Sequence, residues 1–314
     1  MATLSNAYSV YNAGGFGYSA SGINHEDLVD VVTILDSYQT PFFSTAPKIR
    51  VRDVVHSWTV DTLTATSLSA VVEGEDFAAT GLTGPVRYWN TTTIFSRGVA
   101  VSDRERDANP AGIRDMYEYQ VMKEFKVIAR NFEASVFATS LSATASGSSS
   151  VAPKMLSVPG FALVTAGTAV LSTGSIVSLS QKMYEAGAEP DSIWFAPRDK
   201  TAFVNATVSN SSGNVRNIAA TDQRLVANID VFETPFNQLY AVIVDRFITP
   251  ASSTTDKAGY FIGDRSMAKV GFFRPPQHKP MGKNGDHTRG LVLMEATIEL
   301  THPSAWGLCS GVSA

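Results

Sequence analysis

The sequence is short of charge and of cysteine. Only 17% of its 314 residues are Asp, Glu, Lys or Arg, where soluble domains carry about 25%. A lone monomer needs charge to cover its surface. A subunit that hides surface against neighbours needs less, so the deficit points towards assembly. The single cysteine, Cys309, excludes an intramolecular disulfide framework and a cysteine-rich zinc module. With 25 Lys+Arg against 29 Asp+Glu the net charge is -4, unlike the strongly basic balance of a protein that coats nucleic acid.

Other absences narrow the function further. No Lys or Arg precedes Lys48, so the charged start of a signal peptide is missing. The longest uncharged stretch, Met155 to Gln181, is broken by Pro159, Gly160, Gly167 and Gly174 and is dense in Ser and Thr. A membrane-spanning helix would be more continuously apolar, so no membrane partner is expected. There is no G-x-S-x-G elbow, no phosphate-binding G-x-x-x-x-G-K-[ST] loop and no H-E-x-x-H pair.

What is present reads as a layered α+β chain of two domains or one elaborate one. The 44% hydrophobic content supports a packed core. Residues 1 to about 24 are small, polar and aromatic without period, which predicts an extended arm. Gly15 to Ala20 matches G-x-G-x-x-A, but neither the strand nor the helix that a dinucleotide site requires flanks it. No cofactor is expected. Val54 to Leu63 and Val86 to Ser102 read as strands around a polar tip holding Glu73, Glu75 and Asp76. They predict a protruding hairpin, marginal by itself and held by a neighbour.

Ile113, Tyr117, Val121, Phe125, Ile128, Phe132 and Val136 recur at spacings of four and three, one apolar stripe on a helix. With Asn109 as N-cap and Pro110 at the first turn, a helix to Ala138 would run on the order of 40 Å. Residues 139–150 are low-complexity and mark a boundary. Beyond it come a helix over Ile176 to Met183 closed by Gly187, a buried strand Ile193 to Phe195, a helix from Pro197, and strands at Ile229 to Phe232 and Leu239 to Val244. That is an α+β unit. The remainder is β, with Gly259 to Gly263, Ala268 to Phe273 and a strictly alternating Leu291 to Thr301. The long helix is expected to lie across that closing sheet.

Candidate chemistry is thin. His278 and His287 share a polar loop where two imidazoles could meet a metal, but no helix fixes their spacing, and no metal is expected. Cys309 near His302 has nothing local to lower its pKa. The acidic tip lacks the ligand spacing of a calcium loop. The basic segment Lys269, Arg274, Lys279, Lys283 and Arg289 could touch phosphate nonspecifically or pair with acidic surfaces elsewhere. The residues expected at subunit contacts are Glu73, Glu75, Asp76, Trp89, Arg97, Lys279 and Lys283.

Several local motifs share an order. They are Thr40-Pro41-Phe42, Val71-Val72-Glu73-Gly74, Ser96-Arg97, Val99-Ala100-Val101-Ser102, Lys123-Glu124, Ala129-Arg130-Asn131 with Glu133, Ala186-Gly187-Ala188-Glu189-Pro190-Asp191, Arg274-Pro275, Gly285-Asp286 and Glu295-Ala296-Thr297-Ile298-Glu299. From about residue 26 to the end, this order resembles the major capsid proteins of tailed phages, the Hong Kong phage-type fold. The resemblance implies a structural subunit, not an enzyme. It would form hexamers and pentamers that close into an icosahedral head around double-stranded DNA. Its parts would be an N-terminal arm (1–53), an extended E-loop hairpin (54–104), a peripheral domain with the spine helix (105–151) completed by the C-terminal sheet (258–314), and an inserted axial domain (152–257). A portal protein, and possible scaffolding and decoration proteins, are the implied partners, since the arm is too short for the scaffolding domain cleaved from some relatives. The virion capsid, assembled in the host bacterial cytoplasm, is the implied location. An encapsulin-type compartment uses the same fold and is the competing reading, with an unrecognised enzyme behind it.

Overall fold

The computed structural model describes residues 39–63, 70, 72–74, 76, 84–108, 113–138, 151–161, 163–168, 171–208, 229–248 and 258–310. The first 38 residues of the expected arm, the acidic residue Glu75 and the expected cap at Asn109-Pro110 lie outside them, whereas residues 39–53 of the range given to the arm are packed into the body, with Phe42 and Val51 buried and Lys48 to Arg50 paired in a sheet. In chain order the helices are α1 (Pro41–Thr45), α2 (Asp103–Asp107), α3 (Met116–Val136), α4 (Thr173–Glu185) and α5 (Pro197–Val208). The strands are β1 (Lys48–Arg50), β2 (Val55–Val60), β3 (Val86–Thr91), β4 (Thr93–Ser102), β5 (Val164–Thr168) and β6 (Ser192–Phe195), then β7 (Val231–Glu233), β8 (Leu239–Val244), β9 (Ala258–Gly263), β10 (Ala268–Met281), β11 (His287–Leu300) and β12 (Trp306–Ser310).

The apolar stripe does form a spine helix, α3, but a shorter one than expected. Asp115 is the N-cap, its carboxylate accepting from the Tyr117 N–H at 2.8 Å, and Phe137 closes the far end. The 21 residues of α3 span roughly 30 Å at about 1.5 Å each. Ile113 lies before the first turn, so the stripe overran the helix by one position. The helix is only half-buried from Tyr117 to Phe125, whereas Ile128, Phe132 and Val136 are fully buried. It packs across β4 and β11 of a four-stranded sheet ordered β1-β10-β11-β4.

Strand β10 corrects the expectation of a short strand followed by a polar loop. It pairs with β11 as far as Met281 despite Pro275, Pro276 and Pro280. Its other neighbour, β1, stops at the Arg50–Phe272 pair, so the prolines fall where β10 is an edge and their missing N–H groups cost no ladder bond. The register shifts between Phe272 and Arg274 and again between Arg274 and Gln277, the second shift spanning Pro275 and Pro276. Lys279 and His278 are therefore strand residues of a long hairpin.

A second correction concerns β9 and β12. Both were grouped with the closing sheet, yet they are hydrogen-bonded into a six-stranded sheet ordered β5-β12-β9-β6-β8-β7. Alternation along these strands explains why. Ile193, Phe195, Tyr260, Ile262 and Cys309 point to one side and pack with Ile176, Leu179 and Met183 of α4. Trp194, Phe261 and Trp306 point to the other and join the core under α3. Both faces are thus covered, and Phe42 of α1 wedges between Phe137, Trp194 and Trp306 with ring centroids 5.5, 6.0 and 6.2 Å away. Helix α4 forms as its sequence dictates, with a Ser172–Ser175 capping box and Gly187 at φ 82° closing the end.

Candidate assembly interface

Strands β2 and β3 form a separate two-stranded sheet with Ser57 opposite Trp89 and Thr59 opposite Arg87. Its inner face is anchored. Trp58 lies against His56, Tyr88 and Phe161. At the base, His56 pairs with the buried Glu299 at 2.6 Å, and Lys269 reaches the same carboxylate at 3.1 Å. Burial alone would raise the Glu299 carboxyl, but hydrogen bonds from His56 and Lys269 hold it below the ordinary range. Asn90, fully buried, donates to the carbonyls of Leu156 and Ile298 and accepts from the N–H groups of Thr91 and Leu156. These groups place the polar side of β11, Glu295 and Glu299, beneath the hairpin base, where Thr92 and Arg274 also bond Glu295. Lys269 and Arg274 stand out in the sequence as basic residues able to pair with acidic surfaces, and Glu295 and Glu299 as acids of one motif, but their joining with His56, Asn90 and Thr92 leaves no trace there.

The outer face is different. Trp89 is 44% exposed, Val55 stands beside it, and Arg87 donates to Ser57 at 2.7 Å. Farther out, Leu63 and Val72 are exposed, as are Glu73 and Asp76, with Gly74 at φ 86° turning the tip. A large aromatic in water on a two-stranded sheet is an unfavourable arrangement for a lone molecule.

The other expected contact residues divide. Lys279 is exposed on the β10–β11 hairpin. Arg97 and Lys283, by contrast, have partners in their own chain: Arg97 pairs with Glu124 of α3 at 2.9 Å, and Lys283 with Asp103 at 2.6 Å. Hydrogen bonds from Lys283 and Thr288 hold the Asp103 carboxyl below its ordinary range. Helix α2 thus pins the hairpin tip, and its Arg106 reaches Asp115 at the start of α3. Spacing could not show these pairs, because their members lie far apart in the chain. An open groove of about 440 Å³ runs between β4 and α3, lined by residues including Val99, Val101, Met116 and Gln120.

The residues that hinted at chemistry have structural partners. His278 bonds the Tyr117 hydroxyl at 2.8 Å, His287 bonds Arg289, and His302 accepts from the Ser304 N–H. Cys309 is buried in the α4 core. Among the described residues no three His, Cys, Asp or Glu side chains gather as a metal site, and no helix is long and apolar enough to cross a membrane.

A body with two covered sheets carries a two-stranded hairpin whose outer face, with Trp89, is exposed, and this is the architecture of tailed-phage capsid subunits. A model of the SU10 major capsid protein family matches residues 5–313, and the chain belongs to that family. It is 22% identical over 328 residues to the major capsid protein of Escherichia phage Phieco32, covering 88% of this chain and 91% of that one. Among solved structures, that of Gordonia phage Cozz superposes with a TM-score of 0.62 at 16% identity, covering 98% of this chain and 99% of the other. The mature capsid of bacteriophage PhiM1 gives 0.60 at 12% identity, covering 97% and 96%. The α+β tailed-phage capsid fold anticipated from the motifs is the fold of this chain, and its role is that of a phage major capsid protein. The family match favours a viral head over an encapsulin compartment.

Proposed function

We propose that the chain closes into hexamers and pentamers of an icosahedral head enclosing double-stranded DNA. The segment 54–104 acts as an E-loop laid on a neighbouring subunit, and 105–151 with 258–314 as the peripheral domain. Residues 152–257 form the axial domain, to which β9 and β12 lend strands. The observation that carries this reading is the outer face of β2–β3, where Trp89 remains 44% exposed in the single subunit. Head-to-tail contacts of that kind generate rings when the rotation closes. Glu73, Glu75, Asp76, Trp89 and Lys279 are the contact residues. The role is structural, without catalysis.

The charge distribution supports at most a nonspecific grip on DNA. Lys269, Arg274 and Lys283 are already engaged by Glu299, Glu295 and Asp103, which leaves fewer cations to displace counterions from phosphate. A portal protein admits the genome, scaffolding and decoration proteins are further partners, and assembly takes place in the host bacterial cytoplasm before the chain resides in the virion. Sedimentation and negative-stain electron microscopy of the purified chain test the reading. Closed particles or six- and five-membered rings are expected. A species that stays monomeric both alone and with the phage's own scaffolding protein would overturn it.

A further inference from the structure

Two acids are buried together where three parts of the molecule meet. Glu133, on the last turn of α3, has no exposed surface, and its two carboxylate oxygens accept the N–H groups of Phe42 and Phe43 at 2.6 and 2.8 Å. It thereby caps α1, whose own Thr40 makes no side-chain cap. Asp245, just past β8, is equally buried. Its Oδ1 accepts from the Phe247 N–H at 2.8 Å, and its own N–H donates to the Phe195 carbonyl. Its Oδ2 is buried with no hydrogen-bond partner among the described residues, and the Asp245 side chain lies beside the Glu133 carboxyl. Two carboxylates cannot share such a contact. One proton between them satisfies the orphaned oxygen and removes the repulsion.

We propose that Glu133 and Asp245 form a proton-held latch that ties α1 to the spine helix and the six-stranded sheet, and that the latch loosens when the shared proton leaves. Helix α1 (PFFST) and strand β6 (SIWF) contain no ionisable side chain. Arg130, one turn before Glu133, lays its guanidinium over the Phe247 ring at 5.6 Å, and Arg246 is exposed. Lys126 lies a further turn back on an exposed position.

Burial, then the charge of Asp245, pushes the Glu133 carboxyl up to about 8. Burial pushes Asp245 up to about 6. The two protons leave the pair as a unit. Because both values exceed the unfolded ones, the native chain holds the extra proton. The stabilisation is complete only below the ordinary carboxylate range, at about pH 4, and is lost progressively as pH rises from there through about 6 and about 8.

Hydrogen exchange of the Phe42 and Phe43 amides in the full chain, from pH 5 to 9, tests this. Corrected for the intrinsic rate, protection should fall by up to about tenfold per pH unit between the two ionisations. In Asp245→Asn, whose amide supplies a permanent donor and removes the neighbouring charge, Glu133 keeps only its burial, so the fall should be smaller and shifted to lower pH. A level wild-type profile, or the same fall in the variant, would overturn the latch. An infrared spectrum of the wild type at pH 7 does not depend on the variant folding. It should show the carbonyl band of a protonated carboxylic acid that disappears by pH 9, and its absence at pH 7 would equally overturn the proposal.

Discussion

The two hairpins of this chain start from similar strand chemistry and end in opposite situations. The β10–β11 hairpin is long, yet its strands are flanked by β1 and β4, roofed by α3 and pinned at the tip by Lys283–Asp103 and Arg106–Thr288. From Val292 to Leu300 every residue of β11 is buried, polar ones included. The β2–β3 hairpin has only its base and inner face secured, through Trp58, His56 and Asn90, while Trp89 faces outwards. The first is completed by its own chain, and under the proposed function the second is completed by another. Stability and assembly should therefore separate cleanly between the two regions when residues are changed.

The largest effect on the subunit is expected from Phe132→Ala. This ring is fully buried between Phe43 and Phe95, and its loss should cost about 3–5 kcal/mol in denaturant unfolding. Next comes Gly263→Ala. The Trp306 ring lies directly over Gly263 across the β9–β12 pair, so an added methyl has no room without displacing it. A loss of about 1–3 kcal/mol, read as a lower unfolding midpoint, is the expected outcome. Trp89→Ala should do the reverse. The isolated subunit should stay within about 0.5 kcal/mol of the wild type, while each contact this ring makes in the shell weakens by about 2 kcal/mol or more, seen as fewer closed particles by sedimentation. Glu73→Lys should likewise spare the fold and impair assembly. The smallest effect is none at all: with no lysine between His56 and Ser102, a lysine-based covalent ladder from the hairpin should be missing from denaturing gels of mature shells.

How much of this was legible depended on how local the cause was. The stripe from Tyr117 to Val136 marked α3, and Gly187 marked the end of α4, because period and cap act within a few residues. The start of α3 misled, since Asn109-Pro110 has the chemistry of a cap while Asp115, further in, makes the bond. Pro275, Pro276 and Pro280 argued against a strand, and only the early end of β1 shows why they are tolerated. The sheet partners of β9 and β12 were invisible because both faces of the sheet are apolar and alternation cannot say which neighbour is bonded. At the candidate interface, Trp89 and the acidic tip could be read as exposed features of a hairpin. Arg97 and Lys283 could not be told from surface charges without seeing Glu124 and Asp103. Glu133 stood in the chain as one more acid on a helix, and its partners Phe42 and Asp245 are set by the tertiary fold alone.

The separation between a self-sufficient body and a hairpin finished by its neighbour can be measured in one experiment: amide hydrogen exchange of the free subunit against assembled shells. Amides of β2–β3 should exchange readily in the free subunit and become protected in the shell, while those of β10–β11 should be protected in both. Equal protection of β2–β3 in the two states would contradict the account, because the hairpin would then owe nothing to assembly.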